Sequence, residues 1–338
     1  MILISPKQYK ANLHCHSVFS DGKLTPEELK KAYKEHGYSV LAITDHERPR
    51  DHSDLTDDEF VAVTGYEAYI RPSEDCAYDM FSPEVHLNLL AKEPHNIDLI
   101  NWNDKYVKYV KDPVEKAAMP RYGSNEPRKY TKEYINSFIA TAREHGYLVT
   151  LNHPVWSLED FDFLYGIHGY FSLEVCNFAT YNAGMHEYDI ALYEMLLRRG
   201  ERIFCHSADD NHNPTPLDAP ACDSFGGFAM LNTENDVLGY DAVMRSLEKG
   251  DFYSSMGPTI EYLEIENGKA YIRCSDAVRI NMFFGAKANK RVYAPAYGEY
   301  VNEAEFELPH HGEYVRFSVT DEKGRTADTR GYFKDELI

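Results

Sequence analysis

Hydrophobic positions along this chain alternate between two spacings. In three segments, starting at Thr25, Thr131 and Asp189, apolar residues three and four apart are followed by a glycine and then by a short apolar run. The first spacing is that of one buried face of a helix, and the continuous run is typical of a strand buried on both faces of a parallel sheet. The pattern therefore predicts an α/β fold in which helices and parallel strands alternate.

The first of these segments carries the clearest local signals. Thr25 and Glu28 have the spacing of a capping box, and Pro26 stands at the first helical position. Gly37 is placed to end the helix, because glycine readily adopts the left-handed conformation of a helix C-terminus. The apolar run of residues 40–44 then predicts a strand.

Histidines and carboxylates follow the predicted strands. Chemistry in α/β barrels gathers at the carboxyl ends of the strands, so we expect these side chains to lie close together. Each alone could be an ordinary hydrogen-bonded residue, but nine nitrogen and oxygen ligands exceed the needs of one four-coordinate ion and predict two or three ions. The six histidines and three carboxylates are His14, His16, Asp21, His46, Glu67, His86, His153, Asp210 and His212.

Helical periodicity largely disappears after Gly257-Pro258. Alternating apolar and polar residues with turns at Asn267-Gly268 and Lys323-Gly324 take its place. We therefore expect a barrel over residues 1–258 and a small β-sheet module, of a role that the sequence does not reveal, over residues 259–338.

Composition narrows the classes of partner. With 55 acidic and 35 basic residues the formal net charge is −20, which would repel the phosphate backbone of a long nucleic acid. Six cysteines without C-x-x-C spacing exclude a zinc ribbon and favour a reducing, cytoplasmic location. No stretch reaches the ~20 apolar residues of a membrane span.

Residues 101–129 reverse the charge balance locally. Seven basic residues face four acidic ones there, a local charge of +3. The segment is either a solvated excursion or a lid in which Arg121 or Arg128 meets an anionic substrate. Arg48, shortly after His46, is a further candidate for phosphate contact.

Taken together, the motifs resemble the PHP (polymerase and histidinol phosphatase) family of metal-dependent phosphoesterases over residues 12–212. The family often has Gly-Ser before its final Asp-x-His, whereas Ala208-Asp209 stands here, so the ligand could be Asp209 or Asp210; the spacing to His212 favours Asp210. The matching residues are His14-x-His16 with Ser20-Asp21-Gly22, Thr44-Asp45-His46, Gly65-x-Glu67, His86-Leu-Asn-Leu-Leu, Asn152-His153-Pro154 and Asp210-x-His212.

This resemblance implies a distorted (β/α)7 barrel with two or three divalent zinc, iron or manganese ions, with Glu67, Asp210 and His212 in catalysis and Asp45 orienting a ligand histidine. It divides the ligands into three sets: His14, His16, Glu67 and Asp210 for the first ion; Glu67, His86 and His153 for the second; Asp21, His46 and His212 for the third.

The expected reaction is hydrolysis of a phosphate ester of a small metabolite or nucleotide by a metal-bound hydroxide. An amidohydrolase-type C–N hydrolase is the alternative, because that superfamily also begins with His-x-His, but it often uses a carbamylated lysine where this chain offers Glu67. A metal-stabilised module without catalysis would be expected to lack ligands, and none is missing. Oligomeric state stays open.

Overall fold

The computed structural model describes residues 1–73 and 77–337. Its seven α-helices in these residues are α1 (Pro26–Glu35), α2 (Pro113–Ala118), α3 (Lys132–Glu144), α4 (Phe161–Leu164), α5 (Phe178–Asn182), α6 (Ile190–Arg198) and α7 (Tyr240–Lys249). The strands up to residue 255 are β1 (Ile2–Ile4), β2 (Tyr9–Asn12), β3 (Val40–Ile43), β4 (Val61–Ile70), β5 (Val85–Ala91), β6 (Leu99–Ile100), β7 (Arg121–Tyr122), β8 (Tyr147–Leu151), β9 (Ser172–Asn177), β10 (Phe204–Ala208), β11 (Phe228–Leu231) and β12 (Phe252–Ser255). The later strands are β13 (Ile260–Glu266), β14 (Lys269–Ala277), β15 (Arg279–Phe283), β16 (Lys290–Tyr293), β17 (Val301–Glu307), β18 (Tyr314–Thr320), β19 (Thr326–Thr329) and β20 (Tyr332–Phe333).

The three predicted helix and strand segments are confirmed as α1 with β3, α3 with β8, and α6 with β10. At α1 the capping box forms, because the Thr25 hydroxyl accepts from the Glu28 amide and the Glu28 carboxylate accepts from the Thr25 amide at 2.8 Å. Gly37 follows the helix with φ +78°, a conformation that costs other residues free energy.

One large sheet carries most of the chain, in the strand order β10-β9-β8-β5-β4-β3-β2-β11-β12-β19-β18-β15-β16, with β20 beside β18. Strands β2, β3 and β4 are parallel, as are β8, β9 and β10. Strand β5 runs antiparallel to both of its neighbours, β4 and β8. The α/β prediction is thus confirmed, although the sheet is mixed.

Two candidate residues differ from the expected placement after parallel strands. Glu67 lies inside β4 rather than after it, because that strand continues to Ile70. His86 lies near the amino end of β5 and pairs with Tyr69 in β4. Because antiparallel strands run in opposite directions, the amino end of one meets the carboxyl end of the other, and His86 still reaches the common edge.

The largest apolar core packs α3 and α6 against β4, β5, β8 and β9. The region from β13 onward is rich in strands, as predicted, and has its own apolar cluster. Strands β13, β14 and β17 form a sheet with β1, while the β12–β19 pairing joins the C-terminal strands to the large sheet. The division at residue 258 stays a prediction. None of the helices in residues 1–73 and 77–337 combines the length and apolar character needed to cross a bilayer.

Candidate metal centre

Glu67 stands at the middle of the candidate centre. Its Oε1 lies 3.0 Å from His86 Nδ1 and 3.2 Å from both His14 Nε2 and His153 Nε2. Its Oε2 lies 2.9 Å from His46 Nδ1. Four imidazoles from four parts of the chain thus face one buried carboxylate, which is the arrangement expected of a group shared between ions.

Two further carboxylates complete the cluster. Asp210 Oδ1 lies 2.9 Å from His16 Nε2 and 3.1 Å from His14 Nε2. Asp21 lies 3.4 Å from His212 Nε2 and 3.6 Å from His46 Nε2. The structure therefore brings all nine predicted residues into one cluster.

This cluster contains three groups of side chains that could each hold an ion. Within each group, the ligand atoms all lie within 4.8 Å of one another. His16 belongs with the residues expected at the third ion, and His86 falls outside the three groups while still facing Glu67. The groups are His14 with His16 and Asp210; His14 with Glu67 and His153; and His16 with Asp21, His46 and His212.

The second ring nitrogen of several histidines is held by the protein. His14 Nδ1 lies 2.9 Å from Glu174 Oε2, and His212 Nδ1 lies 2.9 Å from the Asp210 carbonyl. His153 Nδ1 lies 3.1 Å from Ser157 Oγ. An acceptor at Nδ1 keeps the proton there, so the lone pair of Nε2 points into the cluster, as a metal ligand requires.

Burial and neighbouring charges set the protonation of these groups. Burial opposes ionisation of Glu67, but the imidazoles of His86, His14 and His46 outweigh it and hold its pKa well below the usual range. Burial, together with His212 and His46, lowers the pKa of His16 to about 4. Against the effect of burial, the facing carboxylates raise the pKa of His86 to about 10 and that of His212 to about 9, so these imidazoles hold protons that a bound ion would displace.

Unsatisfied polar atoms in the cluster also fit the binding of divalent metal ions. Among the described residues, several buried atoms of the cluster have no hydrogen-bond partner, although buried polar atoms are nearly always satisfied in folded proteins. These atoms are Asp21 Oδ1, His46 Nδ1, Glu67 Oε2 and Asp210 Oδ1, which lie close to other cluster atoms but without the geometry of a hydrogen bond.

Asp209 and Asp210 point to different surroundings. The Asp209 carboxylate accepts from the amides of Phe225, Gly226 and Gly227 at 2.7 to 3.0 Å. Asp210 has φ +53°, in the left-handed region, and its own carboxylate faces the histidines instead. The geometry therefore leaves Asp210 as the candidate ligand.

Asp45 does not contact a ligand histidine in the structure. It accepts from the Ser17 amide at 2.8 Å and from the Ser20 hydroxyl, which lies 3.4 Å from His16 Nδ1. Two carboxylates outside the nine candidates touch candidate histidines: Glu174, at His14, and Glu84, 3.3 Å from His86 Nε2. Neither glutamate was among the predicted site residues. A glutamate between Leu173 and Val175, in an apolar strand, was nevertheless a sign of a buried carboxylate with a specific partner.

The arginines proposed for phosphate contact are engaged elsewhere. Arg128 is buried and forms an ion pair with Glu47, with one contact at 3.0 Å. Arg48 donates to Glu115 at 2.6 Å and to the Phe19 carbonyl at 2.8 Å. The exposed Arg121 lies over the Trp102 ring at 4.3 Å.

A cavity of about 310 Å³ opens over the cluster. Two cations, Arg71 and Lys108, line it, together with Tyr109 and Trp156. The Tyr109 hydroxyl donates to Asp21 at 2.8 Å. Within residues 101–129, Lys108 and Tyr109 line the cavity, whereas Arg121 and Arg128 are not among its lining residues.

Comparison with protein families assigns the core of this site. The PHP domain model matches residues 12–155. These residues, under half of the chain, match the PHP domain family. The match includes His14 through His153, and the resemblance drawn from the motifs is confirmed over that range.

Three solved structures are similar to this chain. A two-domain protein from Bacteroides vulgatus, named as containing a PHP-like metal-dependent phosphoesterase, is 14% identical with a TM-score of 0.45, over 96% of this chain and 95% of that one. A protein from Bifidobacterium adolescentis named as a metal-dependent phosphoesterase is 17% identical with a TM-score of 0.41, over 71% and 96%. An amidohydrolase from Chromobacterium violaceum with bound sulfate is 16% identical with a TM-score of 0.39, over 72% and 96%. A comparison with curated proteins found no match.

The PHP domain and the three ligand groups together fit a metal-dependent hydrolase.

Proposed function

We propose that this chain is a metal-dependent phosphoesterase that hydrolyses a phosphate ester of a small metabolite or nucleotide. The observation that carries the proposal is Glu67, a buried carboxylate faced by four imidazoles within a cluster of nine potential ligands. Two or three divalent ions, zinc, iron or manganese, are the expected cofactors.

Three sets of residues would hold the ions: His14, His16 and Asp210 with Glu67; Glu67 with His86 and His153; and Asp21, His46 and His212 with His16. Bound there, the ions would lower the pKa of a water molecule so that it can act as the nucleophile. Their positive charge would also offset the negative charge of the phosphate. We assign Glu67, Asp210 and His212 to catalysis; each lines the cavity, as Asp21, His46, His86 and His153 also do.

The remaining cavity residues suit a phosphate ester. Lys108 and Arg71, which pairs with Glu84, bring positive charge to the cavity, where it attracts an anionic substrate into a chain of net charge −20. Trp156, whose ring centroid lies 5.0 Å from that of His153, adds an apolar surface to the cavity wall. The buried group that faces four imidazoles is the Glu67 carboxylate, where an amidohydrolase often uses a carbamylated lysine.

We infer further that the large sheet curls as the distorted (β/α)7 barrel of the family does. In support, the Ser207 hydroxyl of β10 lies 2.6 Å from the Ser254 hydroxyl of β12, so strands far apart in the sheet order approach each other. We keep residues 259–338 as a small β-rich module attached to this barrel.

The proposal is tested by elemental analysis and turnover of the purified chain. We expect bound divalent metal and hydrolysis of aryl phosphates or of members of a panel of mono- and bisphosphorylated metabolites. His14→Ala should lose metal and lower turnover at least ~10³-fold, since the ions supply both the nucleophile and charge stabilisation.

His168→Ala is the matched control, because the His168 side chain is 54% exposed and far in sequence from any candidate ligand. It should match the unmodified chain. Metal and turnover retained in His14→Ala, or a metal-loaded chain inactive across the panel, would contradict the proposal.

A further inference from the structure

A second cavity, of about 680 Å³, shares no lining residue with the cavity of the metal centre among the described residues. We call it the Lys10 pocket. It lies between β2, β11, the turn that follows α1 and the segment after β12. Its lining includes Lys10, Phe178, Phe225, Phe228, Met230 and Arg325.

Lys10 is the most unusual group in this pocket. Its Nζ lies 4.0 Å from the centroid of the Tyr38 ring and 4.4 Å from that of Phe228. In the part of the chain that the structure describes, Nζ has no hydrogen bond and no carboxylate within 4.0 Å. The two rings hold the ammonium group at the pocket wall, where an anion in the pocket can reach it.

The charge of the pocket wall is opposite to that of the whole chain. No aspartate or glutamate lines the pocket in residues 1–73 and 77–337, although the sequence has 55 acidic residues. Arg325 adds a second cation, which Asp321 holds in place through a 2.8 Å contact to Nε. Burial lowers the pKa of Lys10, and the charge of Asp209 opposes that shift. The pocket therefore favours a negatively charged group.

The rest of the wall is aromatic and fixed in position. The rings of Phe225 and His36 stack with their centroids 3.6 Å apart. A Cβ on Gly226 would lie 2.1 Å from the Phe178 ring, so that ring packs directly on the glycine backbone. Phe178, Phe225 and Met230 are partly exposed and offer apolar surface to an aromatic ligand.

We propose that the Lys10 pocket binds a small organic anion with an aromatic body. Its negative group lies at Lys10 Nζ, in the pocket that Arg325 also lines, and its rings lie against the partly exposed Phe225 and Met230. The site is separate from the metal centre, and the proposal does not depend on the proposed function.

The test uses two fluorescent probes of similar shape, the anion 8-anilinonaphthalene-1-sulfonate and the uncharged N-phenyl-1-naphthylamine, titrated into the full chain. We expect one saturable site for the anion. Lys10→Met should weaken anion binding by about tenfold, as loss of a charge-assisted contact predicts, and leave binding of the neutral probe within about twofold.

Lys7→Met is the matched control, because Lys7 Nζ also lies over an aromatic ring, that of Tyr9 at 5.2 Å, but outside the pocket. It should bind both probes as the unmodified chain does. Arg325→Gln provides a second pocket variant should Lys10→Met fail to fold, and it too should weaken only the anion.

Three results would overturn the proposal: no saturable binding of the anion, anion binding unchanged in the pocket variants that fold, or equal weakening of the two probes. Weakening in Lys7→Met as large as in Lys10→Met would also overturn it.

Discussion

The metal centre and the Lys10 pocket are built from neighbouring residues, yet they carry opposite charge. Strand β2 supplies Lys10 to the pocket, and the residues that follow it supply His14 to the centre. After β10, Asp209 binds the amides of the pocket wall while Asp210 faces the histidines. A shift of one residue along the chain, from Asp209 to Asp210, therefore changes which cavity the carboxylate faces. The same side-chain type holds backbone amides at one position and faces imidazoles at the other.

Removing the charge of Glu174 gives the largest expected change and should affect the metal centre alone. Glu174→Gln weakens the hold on His14 Nδ1, so metal affinity should fall about 10- to 100-fold, the usual effect of losing a carboxylate that orients a ligand histidine. Competition with a chelator measures this. Anion binding in the Lys10 pocket should not change.

Glu93→Gln, an exposed glutamate, serves as the control. Metal affinity in Glu174→Gln equal to that of this control would show that the buried carboxylate does not support the centre.

Asp209→Asn should affect both cavities, because Asp209 holds the pocket wall next to a candidate ligand. An amide has one acceptor oxygen and cannot satisfy the amides of Phe225, Gly226 and Gly227 together, so the free energy of unfolding should fall by about 1–3 kcal/mol. Urea unfolding measures the loss, and probe binding should weaken with it. Asp218→Asn, on the surface, should leave stability and probe binding unchanged. If Asp209→Asn is as stable as the unmodified chain, the Asp209 carboxylate does not support the pocket wall.

The smallest effect concerns pH and Glu159, on the side of the metal centre. Burial raises its pKa to about 8, against the opposing hydrogen bond from the Tyr130 hydroxyl at 2.9 Å. Because the folded state holds the proton more tightly, this contribution to stability is full below about pH 4.5 and is lost as the pH rises through about 8.

Glu159→Gln should therefore show a smaller fall in melting temperature between pH 5 and pH 8 than the unmodified chain does. Thermal melts at the two pH values, with the exposed Glu144→Gln as control, measure the difference. An identical fall in all three proteins would place the pH dependence elsewhere.

The sequence by itself determined the features that depend on neighbouring residues. The capping box at Thr25 and the glycine after α1 fix the ends of that helix through hydrogen bonds and backbone conformations only a few residues apart. The alternation of helices and apolar strands gave the α/β class, and the spacing of the motifs gave the PHP resemblance confirmed over residues 12–155.

Only the tertiary structure decided which strands lie side by side. The antiparallel β5, the position of Glu67 within β4, and the Glu174 carboxylate at His14 all depend on pairings between distant segments. So do the burial of Arg128 against Glu47 and the assembly of the Lys10 pocket. Such contacts form when long stretches of chain close into loops, and no local periodicity encodes them.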